Sequence, residues 1–183
     1  MHRLQTYLPQ DRLRALADSR TVPDPTYGSA IFADISGFTA LTEKLTQMLG
    51  PRKGVDRLSQ QLNAVYNALI DQVEQYGGSI ISFAGDSIIG WFDDADFSST
   101  TLQAATCASG IQSVMASFTD LTLKIGITTG SARRFQVGSP EIQLLDTLAG
   151  KTIMRLATAE RLARKGEIVL DQPTRKAAGA NEG

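Results

Sequence analysis

Apolar side chains recur at three- and four-residue spacing through Val55, Leu58, Leu62, Val65, Leu69 and Val73, which predicts a long amphipathic helix stopped by Gly77-Gly78. Near the start, Leu8, Leu13, Leu16 and Ala17 mark one side of a short lead-in helix, with Pro9 close to its first turn, where proline is tolerated. Thr21 to Gly28, carrying Pro23 and Pro25, reads as a linker. The unbroken run Ala30-Ile31-Phe32-Ala33 suits a buried strand that delivers Asp34 at its carboxyl end. Ile35-Ser36-Gly37-Phe38-Thr39 then turns into a helix with Leu41, Leu45 and Met48 on one side.

Beyond the long helix the period changes. Ile80–Phe83 and Ile88–Phe92 are strand candidates around the turn Ala84-Gly85-Asp86-Ser87, which puts Asp86 at a hairpin tip. A helix follows, capped by Ser98 or Ser99 and carrying Leu102, Ala105, Ile111, Val114, Met115 and Phe118. Leu121–Ile127 alternates as a strand closed by Gly130. Strand pieces are expected around Phe135–Val137 and Ile142–Leu145, then a helix from Lys151 to about Arg164 and a last strand at Glu167–Leu170. This order predicts an α/β protein of the α+β sandwich type, a mostly antiparallel central sheet covered by helices. The expected boundaries are a lead-in helix and linker over 1–28, the domain over 29–172 and a flexible C-terminal tail over 173–183.

Composition narrows the function classes. The chain has 183 residues, 42% hydrophobic and 20% charged, with a net charge of -1, the profile of one ordinary globular domain. Lacking a basic excess, it is not expected to bind a nucleic acid polymer. There is no apolar stretch of 18 residues and no leader pattern, so no membrane span is expected and the chain reads as cytoplasmic. The single cysteine, Cys107, fits a small buried core residue. Trp91 and Phe92 are read as core or interface packing, and Arg133 and Arg134 as water-facing residues of a hairpin.

Several catalytic patterns fail on spacing. Gly150-Lys151-Thr152 resembles the end of a P-loop, but Leu145 stands where the earlier glycine belongs, so Lys151 is read as a solvated helix start. Asp34-Ile35-Ser36 lacks the second aspartate of the D-x-D phosphatases, and the turn Ala84-Gly85-Asp86 lacks the Gly-Gly-Asp/Glu-Glu-Phe of diguanylate cyclases. The one histidine, His2, is at the extreme terminus, which argues against histidine acid/base chemistry. Two aspartates remain, each past an apolar strand in a glycine-containing turn. Either alone fits a turn former or helix cap. As a pair without His or Cys they favour Mg²⁺ or Mn²⁺ over zinc, with substrate phosphates completing the shell. The glycine turn and helix start at Ser36–Thr39 offer free backbone N–H groups to phosphate.

Phe32-Ala33-Asp34-Ile35-Ser36-Gly37-Phe38-Thr39, Phe83-Ala84-Gly85-Asp86, Lys124-Ile125-Gly126-Ile127-Thr128-Thr129-Gly130 and Gly166-Glu167-Ile168-Val169-Leu170 resemble, in that order, the class III adenylyl/guanylyl cyclase catalytic domain. With Tyr7-Leu8-Pro9, they look most like the first cyclase half of the soluble-type adenylyl cyclases. The resemblance implies a dimeric site and two Mg²⁺ or Mn²⁺ ions held by Asp34, Asp86 and the carbonyl of Ile35. It also implies a nucleoside triphosphate, ATP favoured, with its phosphates cradled by the backbone of Ser36, Gly37, Phe38 and Thr39.

Four positions depart from the family pattern. Thr122 stands for the base-reading lysine, Thr147 for the base-reading aspartate, Met154 for the ribose-orienting asparagine and Thr158 for the transition-state arginine. Methionine offers no useful donor, and a threonine hydroxyl does not replace a guanidinium on phosphate. The chain therefore reads as the metal-bearing half of a homo- or heterodimeric cyclase, weak or inactive as a homodimer. The alternatives are a degenerate cyclase that binds nucleotide or dimerises as a regulatory module, and a purely structural domain. Arg155 is a possible phosphate or bicarbonate-like anion contact, against a solvated helix residue.

Overall fold

The computed structural model describes residues 8–93, 97–139 and 141–179. His2, Tyr7 and the last four residues of the expected tail lie outside that range, as does the side chain of Ser98. In chain order the elements are α1 (Gln10–Ala17), β1 (Thr26–Ser36), α2 (Phe38–Leu49), α3 (Pro51–Gln75), β2 (Ser79–Ala84) and β3 (Ser87–Asp93). They continue with α4 (Phe97–Met115), β4 (Thr122–Ser139), β5 (Gln143–Ala149), α5 (Lys151–Leu162), β6 (Ile168–Leu170) and α6 (Gln172–Ala177). No described helix is long and apolar enough to cross a membrane.

The sheet runs β2-β3-β1-β4-β5, with β6 paired to β4. Every pairing is antiparallel except β4 with β6. The α+β sandwich with a mostly antiparallel sheet is therefore what the chain forms. Alternation along β1 explains the two layers. Ile31, Ala33 and Ile35 point to one face, into a core with Leu41, Leu45, Val65, Leu69, Val73, Cys107 and Ile111 from α2, α3 and α4. Ala30 and Phe32 point to the other, toward Trp91, Ile81, Ala132 and Leu156 under α5. Asp34 continues this second row.

Several elements differ from the sequence expectation. The strand expected to close at Gly130 runs on to Ser139 and absorbs the separate piece around Phe135–Val137, because Thr26 to Ser36 of β1 pairs with it as far as Ala132 and β5 takes over from Arg133. α4 begins at Phe97, so Ser99 is inside its first turn rather than its cap. Met48 and Val55, counted on apolar helix sides, are 69% and 54% exposed. The expected tail opens instead with α6, capped by Asp171, whose carboxylate accepts from the Thr174 amide, and anchored by the fully buried Thr174 hydroxyl, which accepts from the Thr129 amide at 2.7 Å.

Arg134 does not face water. Only 3% exposed, it donates through both terminal nitrogens to Asp11, while its Nε sits 3.5 Å from Asp146 Oδ1, an ion pair without hydrogen-bond geometry. Arg12 reaches the other Asp146 oxygen at 2.6 Å and the Asp11 amide donates to Ser79 Oγ. α1 buries none of its residues, so this charged clasp, rather than an apolar stripe, holds it to the body. Arg133 is the exposed one, bonded through two nitrogens to Asp24.

Candidate metal centre

Asp34 is the ninth residue of β1, and its register partners are Ser87 on β3 and Lys124 on β4. Ser87 follows Asp86 directly. Since Ala84 pairs with Ser87, the hairpin turn is the two residues Gly85-Asp86. Two contacts fix the tip: the Ile35 amide donates to the Asp86 carbonyl at 3.0 Å, and the Tyr66 hydroxyl donates to the Gly85 carbonyl at 3.1 Å. The structure thus brings both aspartates to one end of the sheet through main-chain bonds, with Ile35 between them.

Ser36 closes β1 and shares a 2.9 Å hydroxyl contact with Thr122. Gly37 then takes φ 111°, and a Cβ there would lie 2.5 Å from the Asp120 carbonyl, so glycine is required for both conformation and space. α2 starts at Phe38 with no side-chain cap, which leaves the first-turn amides from Phe38 and Thr39 for a ligand. Phe38 packs onto the core.

The charges at this end do not cancel. Burial, the neighbouring Asp86 and, more weakly, Glu160 push the Asp34 carboxyl above its usual range against the pull of Lys124. The nearest cation is Lys124, with Nζ 3.5 Å from Asp34 Oδ2 but only 2.6 Å from Glu160 Oε1. The hydrogen bond to Glu160 is the main reason the lysine is held above its ordinary value. Asp34 and Glu160 therefore share one ammonium, and Asp86 adds a further negative charge beside them. Among the described residues no group of three or more His, Cys, Asp or Glu side chains is arranged to hold a metal. Two aspartates with excess negative charge and vacant helix amides alongside fit a hard cation that draws its remaining ligands from phosphate and water.

Lys124 and Glu160 were not singled out in the sequence. The signals were present: Lys124 alternates with Leu123 and Ile125 on the Asp34 face, and Glu160 is the one charge in the buried row Leu156, Ala159, Glu160, Ala163 of α5.

The remaining predicted residues are elsewhere. Met154 is 73% exposed on α5, and Thr158 lies one turn further along that surface, its hydroxyl returned to the Met154 carbonyl at 3.2 Å. Thr147 sits on β5 opposite Phe135. Arg155 is not a solvated residue: it donates to Asp171 at 2.5 Å and to the Thr129 carbonyl at 2.6 Å, so an anion would have to displace Asp171.

No protein-family model matches the chain. Adenylate cyclase type 10 of Oryctolagus cuniculus is 26% identical over 150 residues, 78% of this chain. The chain spans 9% of that relative's length. Among solved structures, the adenylyl cyclase CyaB from P. aeruginosa superposes with a TM-score of 0.72 at 22% identity, covering 84% of this chain and 81% of that one. The guanylate cyclase domain of RhGC from Catenaria anguillulae, in complex with GTP, gives 0.71 at 17%, covering 85% and 84%. The fold is that of a class III cyclase catalytic domain. Within that fold, Asp34 and Asp86 stand on the β1 end and the β2–β3 turn, while Met154 and Thr158 stand on the open face of α5.

Proposed function

We propose that this class III cyclase domain supplies the metal- and phosphate-binding half of a dimeric nucleotide cyclase site, converting ATP to cyclic AMP and pyrophosphate. The observation that carries the reading is the under-neutralised pair Asp34 and Asp86, joined through the Ile35 amide beside the uncapped start of α2. Asp34, Asp86 and the Ile35 carbonyl would hold two Mg²⁺, or Mn²⁺, which supply Lewis acidity at the ribose 3′-hydroxyl and the phosphates. As ligands of those ions, Asp34 and Asp86 would place that hydroxyl oxygen in line with the α-phosphate. The backbone from Ser36 to Thr39 would bind the β- and γ-phosphates; as the 3′-oxygen bonds to the α-phosphorus, its proton passes to solvent and the bond to pyrophosphate breaks in line.

The complementary donors come from a partner. Thr122, Thr147, Met154 and Thr158 supply no charged or amide group of their own, and each missing transition-state donor costs about a hundredfold or more. ATP is favoured by the likeness to adenylate cyclase type 10. The test mixes this chain with a cyclase half that carries the lysine, asparagine and arginine but has its metal aspartates replaced. Cyclic AMP formed by the mixture and lost with Asp34→Ala supports the proposal; its absence under every pairing overturns it.

The exposed surface at Met154 and Thr158, which offers no charged or amide donor, favours a second reading, a non-catalytic module that binds Mg·ATP or dimerises. Calorimetry showing Mg·ATP binding by a chain that yields no cyclic nucleotide with any partner selects that reading.

A further inference from the structure

Lys124 stands between two acids on different elements. Asp34 lies directly across the β1–β4 ladder from it, so both side chains rise from the same face. Glu160 comes from α5, which is pressed unusually close to β4: a Cβ on Gly126 would lie 2.7 Å from the Glu160 amide nitrogen. Gly126 is two residues from Lys124, hence on the same face, and its missing side chain lets the helix bring the Glu160 carboxylate onto the ammonium. The lysine sits nearer the helix acid, 2.6 Å against 3.5 Å, yet remains within ion-pair reach of the strand acid. Glu160 is only 9% exposed, so its carboxylate has little access to water as an alternative partner.

We infer that Glu160 is a positioning residue that sets the metal affinity of Asp34 by drawing the Lys124 ammonium off it. A cation arriving at Asp34 must compete with Lys124, and it does so more easily if the lysine has a second carboxylate to settle on. Glu160 is not one of the proposed metal ligands, and its carboxylate meets Lys124. Beside its weak direct repulsion of Asp34, its effect is carried through Lys124, which links α5, the helix bearing Met154 and Thr158, to the β1 carboxylate.

The inference rests on Asp34 being a metal ligand, and the experiment separates the two. Mn²⁺ alone, without nucleotide, is titrated into the purified chain and free Mn²⁺ is read by its electron paramagnetic resonance signal. Glu160→Gln leaves Lys124 with Asp34 as its remaining acid and is expected to weaken binding roughly fivefold, the size of one partly exposed ion pair. Lys124→Met removes the competitor and is expected to tighten binding by a similar factor. In Lys124→Met the further change Glu160→Gln should then have little effect. A Glu160→Gln chain that binds Mn²⁺ as the parent does, or an equal loss on adding Glu160→Gln to Lys124→Met, overturns the inference while leaving the metal site standing. Should Glu160→Gln fail to fold, Lys124→Met decides alone, and weaker binding there overturns the inference. Asp34→Ala that binds Mn²⁺ like the parent overturns the metal reading and this inference together.

Discussion

The two ends of the sheet treat carboxylates in opposite ways. At one end Asp11, Asp24 and Asp146 each meet an arginine, with Arg134, Arg133 and Arg12 in ion-pair contact. At the other, Asp34 and Glu160 divide a single lysine while Asp86 adds its charge to Asp34. Asp24 is drawn down to about 2 by its bonds to Arg133 and the Arg134 amide, whereas Asp34 is pushed up by burial and Asp86. Satisfied charge holds elements together, while the unsatisfied charge at Asp34 is the observation on which the proposed metal site rests.

The most severe way to break this contrast is at the clasp. Arg134→Ala leaves Asp11 without its partner and Asp146 with Arg12 alone, and should cost about 3 kcal/mol of unfolding free energy in a urea titration. A loss below 1 kcal/mol would mean that α1 is held by something other than charge. Next comes the site itself. Mn²⁺ at a hundred times its dissociation constant should stabilise the parent by about 2.7 kcal/mol, seen as a thermal midpoint raised roughly 5–10 °C. Asp34→Asn should abolish that rise and Asp24→Asn should keep it.

Without metal the two aspartates should differ in sign. The folded-state value of Asp34 lies above its ordinary 3.8, so its ionisation opposes folding at neutral pH and that cost fades as pH falls toward 3.8. Asp34→Asn should therefore be at least as stable as the parent at pH 7, with the advantage gone below pH 3.8. Asp24, lowered to about 2, contributes stability that is fully present above 3.8 and lost as pH falls through about 2. Asp24→Asn should show a small deficit at pH 7 that closes over that window, the slightest of these effects because the group is exposed.

Much of this arrangement was legible beforehand. Apolar periodicity marked α3, the β2–β3 hairpin and α5, and the two aspartates stood out as carboxylates at strand ends. The clasp was not legible, because Arg134 follows an exposed Arg133 in a strand and only the distant Asp11, 123 residues away in sequence, decides that it is buried. Lys124 and Glu160 were hidden for the same reason: each is ordinary in its own element, and the close approach at Gly126 makes them partners. The continuation of β4 past Gly130 was missed because a glycine, φ 155° here, usually signals an end, whereas pairing with β1 carries the strand through it.

The bond from the Ile35 amide to the Asp86 carbonyl belongs to no side chain. Mutational drift can therefore alter the residues around the two aspartates at modest cost while the main chain keeps them juxtaposed. Met154 and Thr158 have no such protection: they stand on an exposed helix surface where most helix-compatible replacements cost the fold little. Under the proposed dimeric site, a domain built this way would shed the α5 half more readily than the β1 half, and a lineage with a complementary partner could lose the α5 groups without losing the protein.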